Sequence, residues 1–216
     1  MNFIKNYVKK KQDIINSVNR NKLTNKTPSL ICSNCLGGYI YHWLGLQFSS
    51  PFINLWMTNE DFVSMLEFGI EDFLKQPLVE VVTDDSKYPV GEINGVKIRF
   101  QHYSSFDEAK DCWNRRIDRF DYKNMLILFS NFEGDERLLK RFDELKYKNK
   151  IVFVDIPYKY ESSFYIKGYL IYKNILKCIK SKKIPNLFHI KNYFTGKRFI
   201  DQFDYVSFIN GIKEEK

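Results

Sequence analysis

Residues Pro28 to Leu44 read PSLICSNCLGGYIYHWL, and this stretch decides the fold. The apolar run from Pro28 to Cys32 predicts a strand. Ser33 to Gly38 predicts a glycine-softened turn, and Tyr39 to Leu44 continues it as a helix. A strand that turns straight into a helix is the opening of an α/β unit. In such units, ligand-binding groups gather at the carboxyl ends of parallel strands.

Downstream, the pattern repeats. Met125–Phe129 and Ile151–Val154 are continuous apolar runs, as expected of buried parallel strands. Between them, Asp135–Leu145 has helical spacing. Before them, Ser105–Phe120 places Phe106, Ala109, Trp113, Ile117 and Phe120 on one helical stripe. Thr58 caps a helix expected to run from Asn59 to Lys75, where Pro77 stops it. Leu78–Val82 reads as a short strand. Val90–Ile93 and Val96 to about Tyr103 flank Asn94-Gly95, the signature of a type I′ hairpin. Gly168–Ile179 and Phe199–Ile209 are expected helices. This alternation predicts a three-layer α/β/α fold with a mixed, mostly parallel central sheet, the hairpin supplying its antiparallel part.

The chain has 216 residues, 44% of them hydrophobic, which suits one packed domain over 28–216. Residues 1–27 form a basic amphipathic helix and a linker ahead of it. Charge is concentrated at two places. Residues 1–27 carry a net +6 and residues 162–200 a net +9, against +8 for the whole chain. The middle is therefore acidic, and the segment from about 160 is a basic extension. Such segments suit an anionic membrane face or a phosphorylated substrate. Nucleic acid is not an expected partner, because no recognition module is present. No apolar run approaches a membrane span, and no secretory leader is recognisable. The four cysteines are irregularly spaced, which fits a reducing, cytoplasmic setting. Separately, the basic amphipathic helix of residues 1–20 suits peripheral contact at the inner membrane face.

Several side chains carry candidate chemistry. Cys32 and Cys35 lack the second pair that a structural zinc needs, and their register is wrong for a thioredoxin-like motif. Cys35 alone falls at a helix start, where backbone N–H groups favour a thiolate. The same groups, with Gly37 and Gly38 allowing close approach, would hold a phosphate or oxyanion. His102, between Gln101 and Tyr103, falls at a predicted strand end, within reach of a ligand as a general base. Arg115 and Arg116 suit phosphate or carboxylate. Asn131 lies in a polar loop, 130–135, at the same expected sheet edge as Cys35. The two loops would converge at a topological switch point. Each of these residues also has a purely structural reading: a buried turn cysteine, a histidine satisfied by backbone, arginines paired on a helix surface.

A family resemblance draws these motifs together. Ile31–Tyr41, Leu44-Gly45-Leu46, Ser49-Ser50-Pro51-Phe52, Pro89-Val90-Gly91, His102-Tyr103, Glu108-Ala109, Trp113 with Arg115-Arg116, and Phe142-Asp143 resemble a bacterial domain-of-unknown-function family numbered nineteen-nineteen. The likeness covers about residues 28–160. The chain departs from the family pattern after Phe129, where Ser130-Asn131-Phe132-Glu133 replaces an Asn-Asp-Arg-like run. Members are described as exopolysaccharide or capsule biosynthesis proteins. The Ser33-Asn34-Cys35 turn is also similar to that of capsule-locus proteins regarded as acetyltransferases that bind coenzyme A.

The resemblance implies a pathway, cell-surface polysaccharide synthesis. Within it the expected activity is a transferase acting on a sugar or polysaccharide precursor, with acyl transfer to a sugar hydroxyl as the preferred reaction. Acyl coenzyme A would be the donor, and no cofactor would be tightly bound. His102 would take the acceptor's proton, and Cys35 would be a nucleophile or a turn residue beside it. Asn34, Gly37, Gly38, Arg115, Arg116 and Asn131 would bind substrate. Two alternatives stand beside this reading. One is a nucleotide-sugar-dependent glycosyltransferase, for which Asp84-Asp85 is the nearest approach to an Asp-x-Asp motif. The other is a non-catalytic scaffold that holds the pathway at the membrane.

Overall fold

The structure is a computed structural model and describes residues 2–83 and 87–211. Asp84 and Asp85 lie outside the described residues. The first long helix, α1 (Asn2–Lys22), leads through a polar link to β1 (Ser29–Cys32), which is buried at every position. α2 (Leu36–Leu44) follows at once. Two further strands, β5 (Met125–Ser130) and β6 (Lys150–Val154), continue the sheet, and β7 (Ser163–Tyr165) closes its edge. The order is β1-β5-β6-β7 and every pairing is parallel.

Alternate residues of these strands point to opposite faces, as strand geometry requires. Ile31, Ile127, Phe129, Val152 and Val154 belong to one core. That core also holds residues of α3 (Asn59–Phe68), α4 (Ile70–Lys75), α5 (Phe106–Ile117) and α6 (Glu136–Glu144). Leu30, Cys32, Leu126, Leu128 and Phe153 belong to the other. There they meet α2, α7 (Tyr169–Cys178) and α8 (Tyr205–Ile209). The result is an α/β fold in three layers.

The hairpin departs from expectation. β2 (Val79–Glu80), β3 (Val90–Ile93) and β4 (Val96–Arg99) form an antiparallel sheet of their own instead of joining the central one. Asn94 and Gly95 both have positive φ, as a type I′ turn needs. The inward residues Ile93, Val96 and Ile98 are satisfied by packing into the first core. Burial therefore does not require edge pairing with β1. The free edge of β4 is bridged by Trp56, through Trp56 N–H to Arg99 O at 2.8 Å and Arg99 N–H to Trp56 O at 2.9 Å.

Three further differences have local causes. The helix expected over 59–75 breaks at Gly69, whose φ of 99° and ψ of 124° turn the chain between α3 and α4. The closing helix divides into a 3-10 turn, Ile200–Gln202, and α8, because Phe203 is extended between them. The segment after residue 160 is part of the fold. It supplies β7, and Ile166, Tyr169, Phe199 and Phe203 are buried in the second core.

The helix α1 and the segment 198–205 are also fastened to each other. Arg198 is 1% exposed. Its guanidinium bonds Asp201 and Asn16 and stacks on Trp43 at 3.5 Å. Asn19 donates to the Tyr205 hydroxyl, and Arg20 to Trp43 O. Among the described residues, no helix is long and apolar enough to cross a membrane.

Candidate functional site

Backbone bonds assemble the site at the carboxyl end of β1. Ser33 O, just past the strand, accepts from Met57 N–H at 2.9 Å. Trp56, the preceding residue, is bridged to Arg99 at the end of β4. The next residues of that strand's chain are Gln101 and His102. Two short backbone links thus bring a turn from the antiparallel sheet onto the turn after β1.

There the side chains meet. Cys35 Sγ donates to Gln101 Oε1 at 3.2 Å, and His102 Nε2 lies 3.8 Å from Sγ. A nucleophile beside an imidazole is the minimal arrangement for covalent catalysis. His102 is not at a strand end as expected. β4 stops at Arg99, and His102 sits in a turn with φ 73°. Left-handed backbone is uncommon for a residue with a Cβ and costs free energy. The turn holds that geometry with the imidazole exposed beside the thiol.

The electrostatics differ from the sequence expectation too. Burial pushes the Cys35 thiol above its ordinary value. Helix-start N–H groups do not outweigh it, because they are already engaged. Leu36 N–H donates to Asn34 Oδ1 at 3.0 Å, and Gly37 N–H faces Cys32 Sγ. A Cβ on Gly37 would lie 2.9 Å from Cys32 Sγ, and one on Gly38 would lie 3.3 Å from both Asn54 Oδ1 and Ile53 Cγ2. Their missing side chains admit neighbouring protein, not a ligand. Asn34, Gly37 and Gly38 thus build the turn, with the N–H groups of Leu36 and Gly37 already partnered inside it.

The remaining predicted residues separate. Arg115 is exposed and its Nη2 bonds Cys112 Sγ. Arg116 turns inward: it is buried, donates to Ile53 O and to the Tyr103 hydroxyl at 2.6 Å, and lies over the Phe48 ring. It makes no ion pair with a described residue. It therefore holds a positive charge one residue along from His102, through Tyr103. Asn131 is fully buried after β5, with Nδ2 donating to Asp135 O and Oδ1 without a partner. The sheet has no switch point, because its strands lie side by side in chain order. Asn131 is thus a buried residue of the β5 loop, its amide bonded to Asp135.

His42 is exposed on α2, and His189 pairs with the Tyr172 hydroxyl at 2.7 Å. Cys32 and Cys35 are both free thiols. Among the described residues, no three His, Cys, Asp or Glu side chains gather as metal ligands would. Sequence reasoning passed over Gln101 and Tyr103. Their signal was adjacency alone: both flank His102.

Comparison with known proteins gives the chain its relatives. A Haemophilus influenzae chain described as "Uncharacterized protein" is 37% identical over 210 residues, 96% of each chain. A 105-residue stretch is 29% identical to Protein Ycf2 of Anthoceros angustus, covering 45% of this chain and 4% of that protein. The profile described as Domain of unknown function (DUF1919) matches residues 5–210, nearly the whole fold described above, and the chain belongs to that family.

Proposed function

We propose that the protein is a transferase of cell-surface polysaccharide synthesis that passes an acyl group from acyl coenzyme A, through Cys35, to a sugar hydroxyl. The observation that carries this reading is the placement of Cys35 Sγ 3.8 Å from His102 Nε2 on a turn with strained backbone. His102 takes the Sγ proton as sulfur attacks the donor's thioester carbonyl. Collapse of the tetrahedral adduct forms a Cys35 thioester and expels the coenzyme A thiolate, which recovers that proton from the imidazolium. In the second half, His102 takes the proton of the sugar hydroxyl as its oxygen attacks the Cys35 thioester. The thiolate of Cys35 then leaves and is reprotonated, and the sugar carries the ester.

Gln101 has a part in both halves. With Oε1 towards Sγ, its amide holds the resting thiol. Turned over, it presents N–H to the thiolate or to the oxyanion, in the manner of an oxyanion hole. Arg116 supplies a fixed positive charge behind the His102–Tyr103 turn, suited to an anionic donor.

A second reading, a non-catalytic scaffold, draws on a different observation: burial pushes the Cys35 thiol above its ordinary value, which disfavours the thiolate. Thermal unfolding with and without ligand separates the readings. A ligand at about 100 times its Kd stabilises the native state by ~2.7 kcal/mol. In a chain of this length that raises Tm by several degrees. Acyl coenzyme A should produce this rise. A rise with a nucleotide sugar instead would favour glycosyl transfer, and a rise with neither would favour the scaffold.

A further inference from the structure

The basic segment from 162 to 200 holds nine Lys and Arg and no acid. Lys173 pairs with Asp155 and Arg198 with Asp201. None of the other seven makes an ion pair with a described residue. In sequence these lysines are interleaved with apolar side chains that the fold leaves exposed. On α7, Ile171 and Ile175 are exposed, and Ile179 continues the same stripe at i, i+4, i+8. The opposite side of that helix, Tyr169 and Leu176, is buried. Beyond it, Ile184 is 81% exposed and Phe194 is 84% exposed.

This face continues onto α1. Tyr7 donates to Phe194 O, and Gly196 packs on Lys11 and Gln12. Phe3 and Ile4 are exposed on the first turns of α1, among Lys5, Lys9, Lys10 and Lys11. Between α7 and the 183–193 segment lies a cleft of about 620 Å³, walled by Ile171, Ile175, Phe188 and Tyr193, with Lys183, Lys191 and Gln12 of α1 also lining it. Burial and the charges of Lys167 and Lys197 depress the Lys191 ammonium. Like charges are therefore crowded there, and no Asp or Glu is among the described residues that line the cleft.

We infer that this face, formed by α7, residues 179–197 and the start of α1, docks on an anionic lipid bilayer. The inference does not depend on the Cys35 chemistry. Charge complementarity and side-chain type select the occupant. Isolated exposed apolar residues are ordinary, but a continuous apolar set rimmed by one sign of charge marks a binding surface. Aliphatic anchors on amphipathic helices enter the boundary between headgroups and acyl chains, while lysine stems reach up to phosphate. A nucleic acid would call for stacking aromatics and guanidinium forks. Phe3, Tyr193 and Phe194 are exposed, but the uncovered anchors on α7 are isoleucines, and Arg198, the segment's single arginine, is buried, so the segment offers no guanidinium fork.

The test is sedimentation of the full chain with vesicles of phosphatidylcholine alone and with about 30% phosphatidylserine. Two variants accompany it, Ile171→Glu/Ile175→Glu and Lys180→Glu/Lys182→Glu/Lys183→Glu. All five positions are on the surface, so unchanged melting curves establish that both variants fold. The expected result is binding to the anionic vesicles only, weakened by salt above about 0.15 M. Each variant should weaken it by about tenfold or more. Absence of binding to the anionic vesicles at low salt would overturn the inference. So would binding that survives either variant. Duplex DNA bound as tightly as the anionic vesicles, and equally well by the isoleucine variant, would overturn the choice of a bilayer.

Discussion

At the scale of single residues, the account rests on His102. The sequence marked it as a reactive side chain near a strand end, and it pointed to Cys35 as the partner. What it could not show was the φ of 73°, because left-handed backbone in a non-glycine residue is imposed by the structure around it. That conformation separates stability from function. Glycine at 102 removes the Cβ penalty of ~1–2 kcal/mol. It also loosens the unfolded chain, which offsets part of the gain. His102→Gly should therefore melt at or slightly above the parent temperature, while transfer falls about 10²–10⁴-fold for want of a general base. Differential scanning calorimetry beside a transfer assay checks both. A clearly lower Tm would make His102 a structural residue. Gln101 was not legible in the same way, because a glutamine acquires its meaning only from what its amide touches.

At the scale of elements, the β1–α2 junction is legible in sequence as strand, turn and helix, but the close packing at its glycines is not. A Gly-Gly pair at a helix start looks the same in sequence whether it admits a ligand or a neighbouring side chain. Here the neighbour is Cys32 on β1. Gly37→Ala would drive a Cβ against a buried sulfur, an overpacking that costs about 1–3 kcal/mol. Removing that sulfur should restore room, so Cys32→Ala/Gly37→Ala should be less destabilised than the sum of the two single changes. Urea unfolding of the four chains measures the coupling. Strict additivity would mean that the two elements do not meet as described. The hairpin shows a similar limit. Asn94-Gly95 fixed its turn, but four-residue strands do not state which sheet they join, and their inward face found its core without the central sheet.

At the scale of the whole molecule, the alternation of buried strands and amphipathic helices was enough to identify an α/β fold, because both faces of a parallel sheet must be covered. The assembly of the site was not legible, since it depends on contacts between residues far apart in the chain. Ser33 to Met57, and Trp56 to Arg99, are bonds that no local pattern announces. They make the antiparallel sheet a carrier that delivers Gln101 and His102 to a turn built by the parallel one. The basic charge was visible from composition, but its arrangement around uncovered isoleucines required the fold.

The central claim is that Cys35 carries the transferred group. Intact-protein mass spectrometry after brief exposure to acetyl coenzyme A, followed by peptide mapping, tests it most directly. The account predicts one acetyl group on Cys35, labile to hydroxylamine as a thioester. Cys35→Ser should not form this thioester, and His102→Ala should form it slowly. Loading should quicken as pH rises, because burial holds this thiol's proton above the ordinary thiol range and the thiolate is the attacking form. No adduct on Cys35, or transfer to a sugar acceptor that continues undiminished in Cys35→Ser, would contradict it.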